Sequence, residues 1–130
     1  MITYEWRAPF SDAELRALHA EGFGQQAHER DWRAQVERHS LGWVCARDDK
    51  GLAGFVNVAW DGGIHAFILD TVVAARLRHR GAGTRLVITA AHQARAAGCA
   101  WLHVDFAAEL GGFYFGACGF QPTSAGLIAL

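Results

Sequence analysis

The chain has 130 residues, 52% hydrophobic and 19% charged, with a formal net charge of −1. That length fits one domain over residues 1–130 and allows a sizeable core without staples. Near-neutral charge lacks the footprint of a nucleic-acid binder, apolar content argues against disorder, and no run reaches the roughly 18 apolar residues a bilayer requires.

Met1 to Trp6 has neither the basic start nor the apolar stretch of a signal peptide. Ile2, Tyr4 and Trp6 alternate with Thr3, Glu5 and Arg7, the period of a half-buried strand. Ser11-Asp12-Ala13-Glu14 is a capping box opening a helix with Leu15 and Leu18 on one face and Gly22 as its stop. A second helix is expected from His28 to His39, with Trp32 and Val36 on one stripe.

Three strands follow, at 43–47, 52–60 and 64–73, separated by Asp48-Asp49-Lys50-Gly51 and Asp61-Gly62-Gly63. Tight turns make them an antiparallel meander, and the third is apolar enough to be buried on both faces. A basic, glycine-punctuated loop spans 74–83. A helix from Thr84 to Ala97 with Leu86, Val87, Ala90, Ala91 and Ala94 inside follows, then a strand over 100–106. Strand, helix, strand makes the flanking strands parallel. A short helix over 109–117 and final strands at 119–121 and 125–130 complete the expected α+β sheet. Cys45, Cys99 and Cys118 are odd in number and widely spaced, which suggests neither a disulfide framework nor a zinc site. The chain thus reads as cytoplasmic, with no metal, nucleic-acid or membrane partner.

The chemistry concentrates in Arg78-His79-Arg80-Gly81-Ala82-Gly83-Thr84, between a strand and a helix. Glycines allow close backbone approach, the helix N-terminus offers unpaired N–H groups, and the arginines suit phosphate. With Arg76, four basic or titratable side chains fall between residues 76 and 80, a local positive patch that the net charge conceals. A P-loop is excluded, because the only lysine is Lys50, in a distant hairpin. A dinucleotide fold is weakened, because Leu86 stands where the third glycine belongs, although Asp105 could serve as the ribose-binding acid. The pattern Arg78-x-x-Gly81-x-Gly83 fits a third type, Arg/Gln-x-x-Gly-x-Gly/Ala.

With the strand before it, the helix after it, and Phe113-Tyr114 followed by Cys118-Gly119-Phe120, the sequence resembles the GNAT superfamily of acetyl-CoA-dependent N-acetyltransferases. The resemblance covers essentially the whole chain. It implies a mostly antiparallel mixed sheet with flanking helices and a splayed parallel strand pair. It also implies acetyl transfer from acetyl-CoA to the primary amine of a small molecule or a protein N-terminus, by direct attack in a ternary complex. Thr71, Val72 and Val73 would line the pantetheine arm, with the Val73 N–H polarising the thioester carbonyl. Arg78, His79, Arg80, Gly81, Ala82, Gly83 and Thr84 would hold the pyrophosphate, and Phe113 would also contact the co-substrate. Asp70 matches an acid that faces the acceptor amine, and His65 is the alternative; Trp32 would border the acceptor. The family's tyrosine acid sits four residues before the glycine of Gly-Phe, where this chain has Phe115. Tyr114 serves only if the local turn is shifted, which Gly111, Gly112 and Gly116 make feasible. A non-catalytic acyl-CoA-binding module is the rival reading. Low charge permits an apolar interface, and many family members dimerise, so a homodimer is compatible with the sequence.

Overall fold

A computed structural model describes residues 1–23 and 30–130. Its sheet runs β1-β2-β3-β4-β5, built from β1 (Thr3–Trp6), β2 (Ser40–Asp48), β3 (Gly51–Trp60), β4 (His65–Val73) and β5 (Trp101–His103). The first four strands are antiparallel, while β4 and β5 are parallel. This follows from the connections: two-to-four-residue turns join β2, β3 and β4, whereas a helix carries the chain from β4 to β5. A mostly antiparallel sheet is not the parallel sheet of a dinucleotide-binding fold.

Helices α1 (Asp12–Phe23) and α2 (Trp32–His39) cover one face, and α3 (Ala82–Ala96) covers the other. At the start of α1, the Ser11 N–H donates to Glu14 Oε2 at 2.9 Å and the Glu14 N–H to Ser11 Oγ at 3.1 Å, closing the capping box. The expected beginning of the second helix, at His28, lies outside the described residues. Asp31 caps α2 by accepting from the Ala34 N–H at 3.2 Å. On one face Leu15, Leu18, Trp32, Val36 and Phe55 pack together; on the other, Val44, Val56, Ala66 and Ile68 meet Leu86, Ala90 and Ala94.

Several expectations are corrected. β4 is not buried on both faces: Ala66 and Ile68 are enclosed under α3, but Phe67 and Leu69 are exposed because α1 and α2 stop short of them. β5 holds only three residues, since its parallel pairing ends there. The expected short helix divides into a 3₁₀ turn (Ala108–Leu110) and a π-helix (Gly112–Ala117). Residues 119–130 form no strand, and everything from Gln121 onward is exposed.

Candidate active site

Pairing between β4 and β5 covers only His65–Phe67 with Trp101–His103, yet β4 continues to Val73. Beyond Phe67 the two strands part. A bulge marks the place: Phe55 to Asn57 on β3 is matched by Leu69 to Val72 on β4, one residue more. Asp70 absorbs that residue with φ 57°, in the left-handed region. Past the bulge the facing of β4 is inverted, so Val72 packs toward α1, where a Cβ on Gly22 would come within 2.6 Å of Val72 Cγ2. Thr71 and Val73 are half-buried along this open stretch.

The chain then leaves β4 under tight control. The Ala74 N–H donates to the Ala53 carbonyl at 2.8 Å, and the Ala75 N–H to Glu21 Oε1 at 2.5 Å. Arg76 grips Asp48 with two bonds of 2.8 Å, holding the Asp48 carboxyl well below its usual range. Arg76 is thereby committed to the fold, and the positive patch reduces to Arg78, His79 and Arg80, all exposed. His79 (φ 63°) and Gly81 (φ 79°) are both left-handed, and they swing the chain into α3. No described side chain caps that helix. The first N–H to find a helical acceptor is that of Arg85, on the Gly81 carbonyl at 3.0 Å. The amides of Ala82, Gly83 and Thr84 are the orphan donors of the first turn, at the positive end of the dipole. Gly83 has a packing reason as well: a Cβ there would sit 3.1 Å from the Phe113 ring and 3.7 Å from Val73 Cγ2.

Tyr114 is buried, stacked on Phe106 at 4.6 Å and edge-on to Phe113 at 4.7 Å. The π-helix puts it there. The Cys118 N–H reaches back five residues to the Phe113 carbonyl at 2.9 Å, so the turn holds one residue more than an α-helix would. Phe115 is correspondingly exposed. Burial pushes the Tyr114 phenol up, and the nearby Thr71 hydroxyl opposes this. Thr71 Oγ1 is itself buried and meets hydrogen-bond geometry with no partner among the described residues.

On the exposed part of β4 and β5, His65 Nδ1 and His103 Nε2 share a hydrogen bond of 2.7 Å. The His103 ring stacks on Phe67 at 4.8 Å. Trp32 is buried rather than open to an acceptor; its ring lies 4.6 Å from that of His19, with the Arg30 guanidinium 4.1 Å from its centroid. His19 escaped the sequence reading. Burial pushes its imidazole down, with Asp70 opposing and Arg30 adding to the effect. Its signal was a titratable residue four positions after Leu15, on the apolar stripe of α1. Among the described residues, no three His, Cys, Asp or Glu side chains are grouped to hold a metal ion. No helix among them is long and apolar enough to cross a membrane.

The model of the acetyltransferase (GNAT) family matches residues 3–120. No curated protein sequence matches the chain. Among solved structures, a GNAT family acetyltransferase from Streptococcus pneumoniae TIGR4 superposes with a TM-score of 0.81 at 20% identity, over 100% of this chain and 98% of its own. The aminoglycoside N-acetyltransferase AAC(6')-Iy, bound to a bisubstrate analogue containing CoA, gives 0.78 at 17% identity, over 100% and 97%. Glucosamine-6-phosphate N-acetyltransferase from Arabidopsis thaliana gives 0.74 at 18% identity, over 98% of each chain. At these identities the likeness is one of fold.

Proposed function

Because the chain belongs to the GNAT acetyltransferase family, we propose that it moves the acetyl group of acetyl-CoA to a primary amine on a small molecule or a peptide N-terminus. The observation that carries this reading is the uncapped first turn of α3, set behind left-handed Gly81 at the open end of the β4–β5 pair. Acetyl-CoA supplies the activated thioester. The amides of Ala82, Gly83 and Thr84, with Arg78 and Arg80 beside them, take the pyrophosphate. His79 sets the turn. Thr71, Val72 and Val73 offer the pantetheine arm a strand edge, and the Val73 N–H polarises the carbonyl. Phe113 fixes the start of α3 through its contact with Gly83.

The amine attacks the carbonyl carbon, the carbon–sulfur bond breaks, and Tyr114 gives its proton to the departing thiolate. Asp70, at the bulge, receives the amine's proton through water, or His65, five residues earlier on β4, does so instead. A cationic acceptor fits the carboxylate of Asp70. Trp32 contributes from behind, through His19. The three cysteines are all unpaired, in keeping with the cytoplasm.

Incubation with acetyl-CoA and a broad panel of amines, with CoA release followed by a thiol reagent, tests the reading. Release on at least one amine is expected. Tight acetyl-CoA binding without release on any would make the chain a binding module instead.

A further inference from the structure

His103 is the last residue of β5 and stands opposite Phe67, the last paired residue of β4, so it marks the point from which the two strands part. Along β4, Ala66 and Ile68 turn under α3, while His65, Phe67 and Leu69 turn to the other face. His103 shares that face. Its ring stacks on Phe67 at 4.8 Å with an interplanar angle of 22°, and its Nε2 lies 2.7 Å from His65 Nδ1.

A hydrogen bond between two ring nitrogens needs one donor and one acceptor. When both rings are neutral one hydrogen lies between them, and its owner decides which outer nitrogen can act as a base. With the hydrogen on His65 Nδ1, His65 Nε2 is free to accept; with it on His103 Nε2, His65 Nε2 carries a hydrogen of its own. Asp61 draws positive charge toward His65. Its carboxylate accepts the Gly63 N–H at 2.7 Å and the His65 N–H at 3.2 Å, which fixes a negative charge at the foot of that residue. A proton taken up by the pair is therefore best held on His65, with His103 as the neutral acceptor beside it.

We propose that His103 is a positioning residue: by accepting from His65 Nδ1–H it leaves His65 Nε2 free to take the acceptor amine's proton. This rests on the acetyl-transfer reading and assigns the base to His65, leaving Asp70 to bind the cationic acceptor. As the amine nitrogen bonds to the carbonyl carbon and the carbon–sulfur bond breaks, the amine's proton passes to His65 Nε2. His65 becomes an imidazolium that still donates from Nδ1 to His103, then returns the proton to water from Nε2. Water also restores the proton that Tyr114 gives to the thiolate, so the cycle balances. His103 stays neutral throughout and acts only through His65.

Long-range proton–nitrogen NMR spectra of the whole chain, labelled at its histidines, should show His65 protonated at Nδ1 and bare at Nε2. His65→Ala and His103→Ala assign the signals. On the amine that gives the fastest CoA release, His103→Phe should lower kcat about tenfold or more and leave the acetyl-CoA Kd unchanged. Phenylalanine keeps the stack on Phe67 but has no accepting nitrogen. His103→Gln gives up the stack, keeps an acceptor, and should recover most of the rate; a merely structural role requires the reverse order. His65→Ala combined with His103→Phe should be no slower than His65→Ala alone. His65 protonated at Nε2 in the wild type, full activity in His103→Phe, or additive losses in the double variant would each overturn the proposal. CoA release on no amine would remove the acetyl-transfer reading and this role with it. The tautomer, read without turnover, tells that failure from a misplaced hydrogen bond.

Discussion

At Gly81 the backbone holds φ 79°, and open space surrounds the position where a side chain would begin. The constraint is therefore conformational rather than steric, and substitutions should rank by their tolerance of the left-handed region. Gly81→Val should weaken acetyl-CoA binding by about 5- to 100-fold in calorimetric titration, since a β-branched residue there costs roughly 1–3 kcal/mol. Gly81→Asn, which tolerates that region, should lose much less. Tyr114→Phe should lower kcat by about 10²-fold or more, the scale of general-acid catalysis, while leaving the acetyl-CoA Kd unchanged. The glycines and arginines of this turn were legible because their spacing is local. His19 and the His65–His103 pair were not, since each is defined by contacts between residues distant in sequence, such as the 2.7 Å bond across β4 and β5.

Helix α1 ties its own beginning to the sheet through one carboxylate. Glu14 closes the capping box and meets Arg47 Nη1 at 2.7 Å, and these bonds lower its pKa to about 2. A carboxyl whose folded value is depressed adds stability above its unfolded value, and that contribution fades as pH falls toward the folded one. Glu14→Gln should thus reduce Tm at neutral pH by the equivalent of about 1 kcal/mol or less, the scale of a solvent-screened ion pair, since glutamine can still close the capping box. The gap between the two proteins should close as pH falls from about 4.5 to about 2, measured by thermal unfolding across that range. The capping box, both early helices and the meander could be read from periodicity and turn residues. The exposure of Phe67 and Leu69 could not, because it depends on how far α1 and α2 reach across β4. Nor could the fate of 125–130, whose apolar pattern names a strand without naming its neighbour.

Across the molecule, two apolar layers are divided by one sheet, and Phe55 sits at the centre of the layer under α1 and α2. It is fully buried, with Phe10 edge-on at 5.3 Å. Phe55→Ala should cost about 3–5 kcal/mol in urea unfolding, the range for a truncated core aromatic. The order of strands and the parallel β4–β5 pair followed from connection lengths alone. Their separation beyond Phe67 has a different origin: one extra residue at Asp70 that changes which side of β4 faces α1. A bulge of this kind leaves no compositional mark, so only the resemblance to a family anticipated the cleft.

The wide turn at Gly112–Ala117 bears on how this chain tolerates insertion and deletion. Both ends are anchored, by Phe113 against Gly83 and by the Phe120 N–H on the Tyr114 carbonyl at 3.0 Å. The surplus residue is therefore taken up between fixed points, as a looped-out stitch that leaves the downstream chain in place. Deleting Gly116, which is exposed and contacts nothing through a Cβ, should convert the turn to an ordinary α-helix. Tyr114 would then stand four residues before the Gly-Phe pair and keep its burial, which the near-ultraviolet absorbance titration of the phenol and CoA release would report. Excision of Phe115 should have the same outcome. Loss of Tyr114 burial in both would mean that the extra residue, not the anchors, sets which aromatic points inward.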